Sequence, residues 1–242
     1  MIPGWRVDDE DGLAVMRFDL LSNLGVRHGL VVKRLGQAVD GELAYRTLAA
    51  RSQAVVTEQT HGTRLAEVGD GFTGFYPQRV GADGLMTDRR GAVLTIHTAD
   101  CVPIFLAGPG PVALVHAGWR GTAERFAGRA VGEFCGRYGL ETSRLAAVVG
   151  PAIEQSCYPV DEAVAGRFSS RAKVQTAGGK WLLDLKAENL FQLVDAGIPQ
   201  ASIYTSDLCT KCREELFHSY RREGDTLKGK MVAFIEAGDG ES

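Results

Sequence analysis

The stretch HTADCVPIFLAGPGPVALVHAGWRG, running from His97 to Gly121, decides how the rest of the chain is read. Val102–Leu106 is an apolar run that predicts a strand, entered near its start by Pro103. Gly108-Pro-Gly-Pro111 is turn chemistry, since proline fixes φ and glycine supplies positive φ. Val112–His116 is a second apolar strand, closed by Ala117-Gly118. A hairpin of these two strands brings its open ends together. Cys101, just before the first strand, and His116, ending the second, then stand side by side, with Asp100 and Arg120 close in sequence.

Composition narrows the function classes. The 242 residues are 45% hydrophobic and 24% charged, the balance of a globular domain. A net charge of −3 carries no basic bias toward nucleic acid or membrane surfaces. No apolar run approaches the roughly 20 residues that span a bilayer. The acidic start MIPGWRVDDEDG lacks the basic-then-apolar pattern of a signal peptide, so a cytoplasmic protein is expected. Five cysteines in a reducing compartment point to free thiols or ligands rather than a disulfide framework.

Outward from the central hairpin, alternating runs at Ala14–Leu20 and Val26–Val32 predict antiparallel strands, and Gly41–Arg51 a short helix. Strands are expected at Ala54–Val56, Ala92–Ile96, Leu145–Val149, Ser202–Thr205, Leu216–Tyr220 and Met231–Ile235. Helices are expected at Thr122–Tyr138, Asp161–Phe168 and Leu185–Ala196, and a glycine-rich aromatic loop at Gly69–Gln78. The mixture predicts an α+β fold, one domain over residues 1–242, with a large mixed β-sheet flanked by helices.

His61 and His116 both follow apolar strands and precede small residues, where a ligand can reach them. With Cys101 they form a His2Cys set that suits Zn²⁺ and leaves one coordination position open. The residues alone leave two other readings standing: ordinary histidines beside a buried cysteine, and a Cys101 nucleophile with His116 as base and Asp100 as orienter. His97 shares strand parity with Cys101, yet a strand histidine reads better as hydrogen-bonded packing. Cys209-x-x-Cys212 lacks a second ligand pair in sequence and reads as structural rather than a knuckle or redox pair. Arg120, between Trp119 and Gly121 at a helix start, and Arg221 have forks that hold phosphate or carboxylate; Arg222 reads as a surface residue.

Several short motifs occur in one order: Gln59-Thr-His-Gly62, Ala82-Asp-Gly-Leu-Met-Thr87, Thr98-Ala-Asp-Cys-Val-Pro103 and His116-Ala-Gly-Trp-Arg-Gly121. Gly150-Pro-Ala-Ile153, Cys157-Tyr-Pro-Val160, Cys209-Thr210 and Ser219-Tyr-Arg-Arg222 follow. The set resembles the YfiH family, labelled multicopper polyphenol oxidase or laccase and related to the human protein FAMIN. The motifs occupy residues 54–236, and residues 1–53 diverge. The resemblance implies a cysteine-hydrolase-like fold and zinc held by His61, Cys101 and His116. It implies phosphorolysis of purine nucleosides (adenosine, inosine, guanosine, methylthioadenosine) and adenosine deamination, with a role in editing peptidoglycan precursors proposed for bacterial members.

On that resemblance Cys101, His116, Asp100 and Arg120 are the catalytic candidates, with Asp100 as a proton shuttle. Gln59, Arg120 and Arg221 are the candidates for holding nucleoside and phosphate. Five histidines cannot furnish the blue-copper site and trinuclear cluster of a multicopper oxidase, although a single copper suits the same donors as zinc. The chain departs from the family at Lys230, where arginine is common, at His218, where phenylalanine is common, and at His97, where the residue is usually apolar. Lys33-Arg-Leu-Gly36 also runs directly into Gly41-Glu-Leu-Ala44, without the family's usual N-terminal segments.

Overall fold

The computed structural model describes residues 4–50, 53–70 and 78–238. In chain order come β1 (Trp5–Glu10), β2 (Leu13–Phe18), α1 (Asp19–Asn23), β3 (His28–Val32), α2 (Gly41–Ala49), β4 (Gln53–Thr57) and β5 (Leu65–Glu67). Next are β6 (Gln78–Val80), β7 (Gly84–Thr87), β8 (Ala92–Thr98), β9 (Val102–Ala107), β10 (Val112–Ala117), α3 (Trp119–Ala123) and α4 (Phe126–Tyr138). The last third holds β11 (Ala146–Val149), β12 (Pro159–Val160), α5 (Glu162–Ala165), β13 (Lys173–Gln175) and β14 (Trp181–Leu183). It ends with α6 (Leu185–Asp195), β15 (Ile203–Thr205), α7 (Tyr220–Glu223) and β16 (Met231–Glu236).

The α+β expectation holds, but the single large sheet is corrected to two. Among the described residues, one seven-stranded sheet has the order β1-β2-β3-β16-β8-β4-β6 and a six-stranded sheet has the order β15-β11-β9-β10-β7-β5. Both mix parallel and antiparallel pairs. A small third sheet runs β12-β14-β13.

Side-chain alternation shows how the layers stack, because successive strand residues face opposite sides. In β9, Phe105 and Ala107 enter a core shared with Leu94, Ile96, Met16 and Ala233 of the first sheet. Val102, Ile104 and Leu106 face the other way, onto Phe126, Ala130 and Phe134 of α4 and Leu193 of α6. On the outer face of the first sheet, Val15, Val93 and Phe234 pack with Ala44 and Leu48 of α2. The order is therefore helix, sheet, sheet, helices. Strands buried on both faces read as continuous apolar runs.

Three expected elements change. Leu216–Tyr220 is not a strand: Phe217, His218 and Ser219 are buried, His218 bonds Val39 and Met231 instead of a neighbouring strand, and α7 begins at Tyr220. The long helix at 122–138 breaks into α3 and α4 at Arg125, whose φ of 58° lies in the left-handed region. The expected helix at 161–168 shortens to α5. The aromatic loop expected at 69–78 falls largely on residues 71–77, outside the described residues. The N-terminal segment supplies β1, β2 and β3, and β3 pairs with β16. No helix among the described residues is long and apolar enough to cross a membrane.

Candidate metal centre

The hairpin forms as expected, with β9 and β10 antiparallel and His116 opposite Pro103. Cys101 therefore lies one step beyond the pair Ala117–Val102, at the open end of the hairpin. β10 also pairs with β7, placing Val115 beside Gly84 and letting the His116 peptide N–H donate to the Asp83 carbonyl at 2.8 Å. The open ends of three neighbouring strands thus share one edge of the sandwich.

Asp83 organises that edge. Its Oδ1 accepts from the His61 peptide N–H at 2.9 Å, and its Oδ2 accepts from the Gly62 and Thr60 peptide N–H groups at 2.7 and 3.2 Å. These bonds hold the turn in which His61 takes a φ of 60°. The same carboxylate meets His116 Nδ1 at 3.1 Å. A carboxylate only accepts, so Nδ1 carries the proton and Nε2 is left as a donor atom for a ligand. Burial pushes the Asp83 carboxyl up, but the hydrogen bonds from His116, Gly62 and Thr60 outweigh it and hold the group at about 2.

The ligating atoms of His61, Cys101 and His116 lie within 4.8 Å of one another. Gly118 closes the wall behind them: a Cβ there would stand 3.0 Å from His61 Nδ1 and 3.1 Å from Cys101 Sγ. Burial raises the Cys101 thiol, but the His116 charge and hydrogen bonds from both imidazoles lower it to about 6. Burial lowers His116, while the Cys101 charge and the Asp83 hydrogen bond raise it to about 9. Two imidazoles, one ready thiolate and an imidazole fixed from behind by a carboxylate make a donor set that fits a borderline-soft divalent metal. No fourth His, Cys or carboxylate joins them among the described residues, so the set is of the open kind.

The other candidates fall elsewhere. Both oxygens of Asp100 are engaged, Oδ1 by the Thr210 hydroxyl at 2.6 Å and Oδ2 by the Arg221 peptide N–H at 2.7 Å. Gln59 pairs with the His97 peptide through both ends of its amide, each at 2.7 Å, and ties the Thr57–Gly62 segment to β8. His97 turns to the outer face and bonds the Tyr45 hydroxyl. Arg222 donates to the carbonyls of Thr210, Lys211 and Phe217, a half-buried clamp rather than a free surface residue.

A cavity of about 430 Å³ is lined by Trp119, Tyr158, Val160, Lys180 and Arg221 among others. Trp119 follows Gly118, and the Arg221 guanidinium lies 5.0 Å from the centre of the Tyr158 ring. Burial and the Cys101 charge push the Tyr158 phenol up to about 12. The Arg120 guanidinium stacks 4.5 Å over Trp119 without lining the cavity among the described residues. A larger cavity, about 600 Å³, lies by His97, Lys228 and Lys230 and contains none of the three clustered residues. Sequence reasoning missed the roles of Asp83 and Tyr158, although both sit inside the quoted motifs Ala82–Thr87 and Cys157–Val160.

Comparison with known proteins gives a consistent picture. Over 195 residues the chain is 41% identical to a purine nucleoside phosphorylase, YlmD, of Geobacillus stearothermophilus, covering 75% of this chain and 71% of that one. Over 184 residues it is 38% identical to adenosine deaminase RL5 from an unknown prokaryotic organism, covering 70% of each. The crystal structure of the Geobacillus stearothermophilus YlmD superposes with a TM-score of 0.84 at 32% identity, covering 96% of this chain and 99% of the other. Residues 36–237 match the family described as multi-copper polyphenol oxidoreductase laccase, and the chain belongs to this YfiH-like family.

Proposed function

We propose that the chain is a zinc-dependent purine nucleoside phosphorylase that also deaminates adenosine. The observation that carries this reading is the open His61–Cys101–His116 set beside a cavity with two aromatic rings and a guanidinium. The activities named for its relatives YlmD and RL5 support it. Adenosine, inosine, guanosine and methylthioadenosine are the expected nucleosides.

His61, Cys101 and His116 would hold the zinc, which when bound would supply a Lewis acid. The Trp119 and Tyr158 rings line the cavity that takes the purine, and Arg221 holds phosphate against C1′ of the ribose. In phosphorolysis a phosphate oxygen bonds to C1′ as the bond from C1′ to the base nitrogen breaks, and the base leaves with that electron pair. Arg120, stacked on Trp119, adds positive charge at the rim. Asp100 acts as a positioning residue, since its two oxygens fix Thr210 and the start of α7, which carries Arg221. Gln59 holds the strand end that leads to His61.

A second reading has its own observation: Cys101, His116 and Asp83 stand in the order of nucleophile, base and orienter found in cysteine hydrolases. Its substrate would be an amide, such as a peptidoglycan precursor. One assay separates the readings. Metal-quantified protein is incubated with each nucleoside, with and without phosphate, and products are separated by chromatography. Phosphate-dependent release of free base, lost with chelator and in Cys101→Ala, is the expected outcome. Metal-free amide cleavage blocked by thiol alkylation would replace it with the hydrolase. Metal analysis of the same samples distinguishes zinc from copper, which the donor set also accepts.

A further inference from the structure

Three more cysteines converge away from the first cluster. The Sγ atoms of Cys157, Cys209 and Cys212 all lie within 4.8 Å of one another. Cys157 and Cys212 approach to 3.3 Å although 55 residues separate them in sequence. Three sulfurs each about 2.3 Å from one ion at tetrahedral angles stand about 3.8 Å apart, within the 4.8 Å that spans this group. Cys157 thus supplies the further ligand that Cys209-x-x-Cys212 lacks in sequence.

The backbone around the thiols is already fixed. Lys186, buried at 6% exposure, donates to the carbonyls of Ser206 and Leu208 at 2.7 and 3.2 Å and reaches Glu154 at 3.3 Å. It thereby ties the segment before Cys157 to the segment before Cys209. Arg222 clamps the carbonyls of Thr210 and Lys211 between the two loop cysteines, at 3.0 and 2.8 Å. Burial raises the Cys209 thiol, but backbone hydrogen bonds from Glu154, Cys212 and Lys211 outweigh it and lower the group, while hydrogen bonds with Cys157 and Cys209 push Cys212 up to about 12. Lys186 and Arg222 are themselves paired with Glu154 and Glu223, so they fix the backbone around the thiols rather than add free positive charge.

We propose that Cys157, Cys209 and Cys212 form a second metal site, separate from the His61–Cys101–His116 set, that takes zinc through three thiolates. Binding releases the thiol protons to solvent, and the fourth position opens toward water beside the exposed Cys212. The ion bridges the segment carrying Tyr158 to the loop carrying Thr210, and so braces one wall of the cavity against the Asp100 anchor.

Metal content of the full-length chain tests this. Wild type is expected to hold two zinc equivalents, and Cys101→Ala and Cys212→Ser one each. Cobalt loaded into Cys101→Ala should show near-ultraviolet thiolate charge-transfer bands that disappear when Cys212→Ser is added. A single wild-type equivalent abolished by Cys101→Ala, with no such bands in that variant, would overturn the site. So would a Cys157–Cys212 disulfide in place of the second equivalent in protein prepared under reductant. Neither result depends on catalysis, so failure here leaves the phosphorylase reading untouched.

Discussion

The two sides of the candidate active site are built differently. On the metal side, Asp83 holds three consecutive peptide N–H groups of residues 60–62 and the ring of His116, and Gly118 packs against two ligands. On the substrate side, Arg120 and Arg221 are exposed and rest on aromatic rings. The contrast separates a pre-organised chemical centre, costly to perturb, from a recognition surface whose side chains change with little effect on the fold.

Asp83→Ala attacks the rigid side and should have the largest effect. It orphans the N–H groups of residues 60–62 and removes the orienter of His116. Removing one partner of a buried charged pair costs about 3–5 kcal/mol. Loss of the carboxylate behind a ligating histidine typically weakens metal binding about 10–100-fold. Thermal unfolding and a zinc competition titration read the two effects. A variant as stable and as tight as wild type would end the claim that Asp83 organises the centre.

Arg221→Ala attacks the other side. A charge-assisted hydrogen bond is worth about 1.5–3 kcal/mol, so the KM for phosphate should rise about 10–100-fold. Stability should stay within about 0.5 kcal/mol, as for other exposed substitutions. Arg120→Ala should act in the same direction and more weakly, because that guanidinium lies outside the cavity lining. An unchanged phosphate KM in both variants would remove the arginines from the reaction.

The metal side also has a pH signature in metal-free protein. The Cys101 thiol is lowered from 9.0 to about 6, so at pH 7 most of it is thiolate. Alkylation of the Cys101 peptide, followed by mass spectrometry, should be about tenfold faster at pH 7 than for an ordinary thiol. The rate should fall as pH drops through about 6, where the thiolate takes up its proton. Asp83→Asn should move that midpoint upward, since it removes a negative partner that favours the His116 cation. A midpoint near 9 in wild type would show that no such pair exists.

How legible each side was in the sequence follows from the same contrast. The hairpin was readable because both faces of β9 and β10 are buried, which leaves uninterrupted apolar runs around an unmistakable turn. That same double burial hid the second sheet, because an apolar run does not say which layers cover it. Cys101, His61 and His116 were readable as residue types at strand ends. Asp83 was not, since its carboxylate acts through peptide groups 21 to 23 residues away, and only the folded register brings them together. Leu216–Tyr220 misled for the opposite reason. Phe217 and His218 are buried as strand residues would be, but His218 accepts from the Val39 peptide N–H at 3.1 Å and donates its own peptide N–H to the Met231 sulfur.

The smallest effect on the site concerns His97, which the sequence reads as hydrogen-bonded packing rather than a ligand. His97 bonds the Tyr45 hydroxyl, and burial together with the charges of Lys230 and Arg79 lowers it to about 4, so the ring is neutral at pH 7. Tyr45→Phe leaves one His97 nitrogen without that partner and should cost about 1–3 kcal/mol of stability. Zinc content and phosphate KM should not move, because β8 turns the His97 side chain toward Tyr45 of α2, on the face away from the six-stranded sheet whose hairpin carries Cys101 and His116. A loss of zinc in Tyr45→Phe would mean that His97 exchanges with the clustered ligands. The rigid side of the site would then include the first sheet's outer face, and its separation from the larger cavity beside Lys228 and Lys230 would fail.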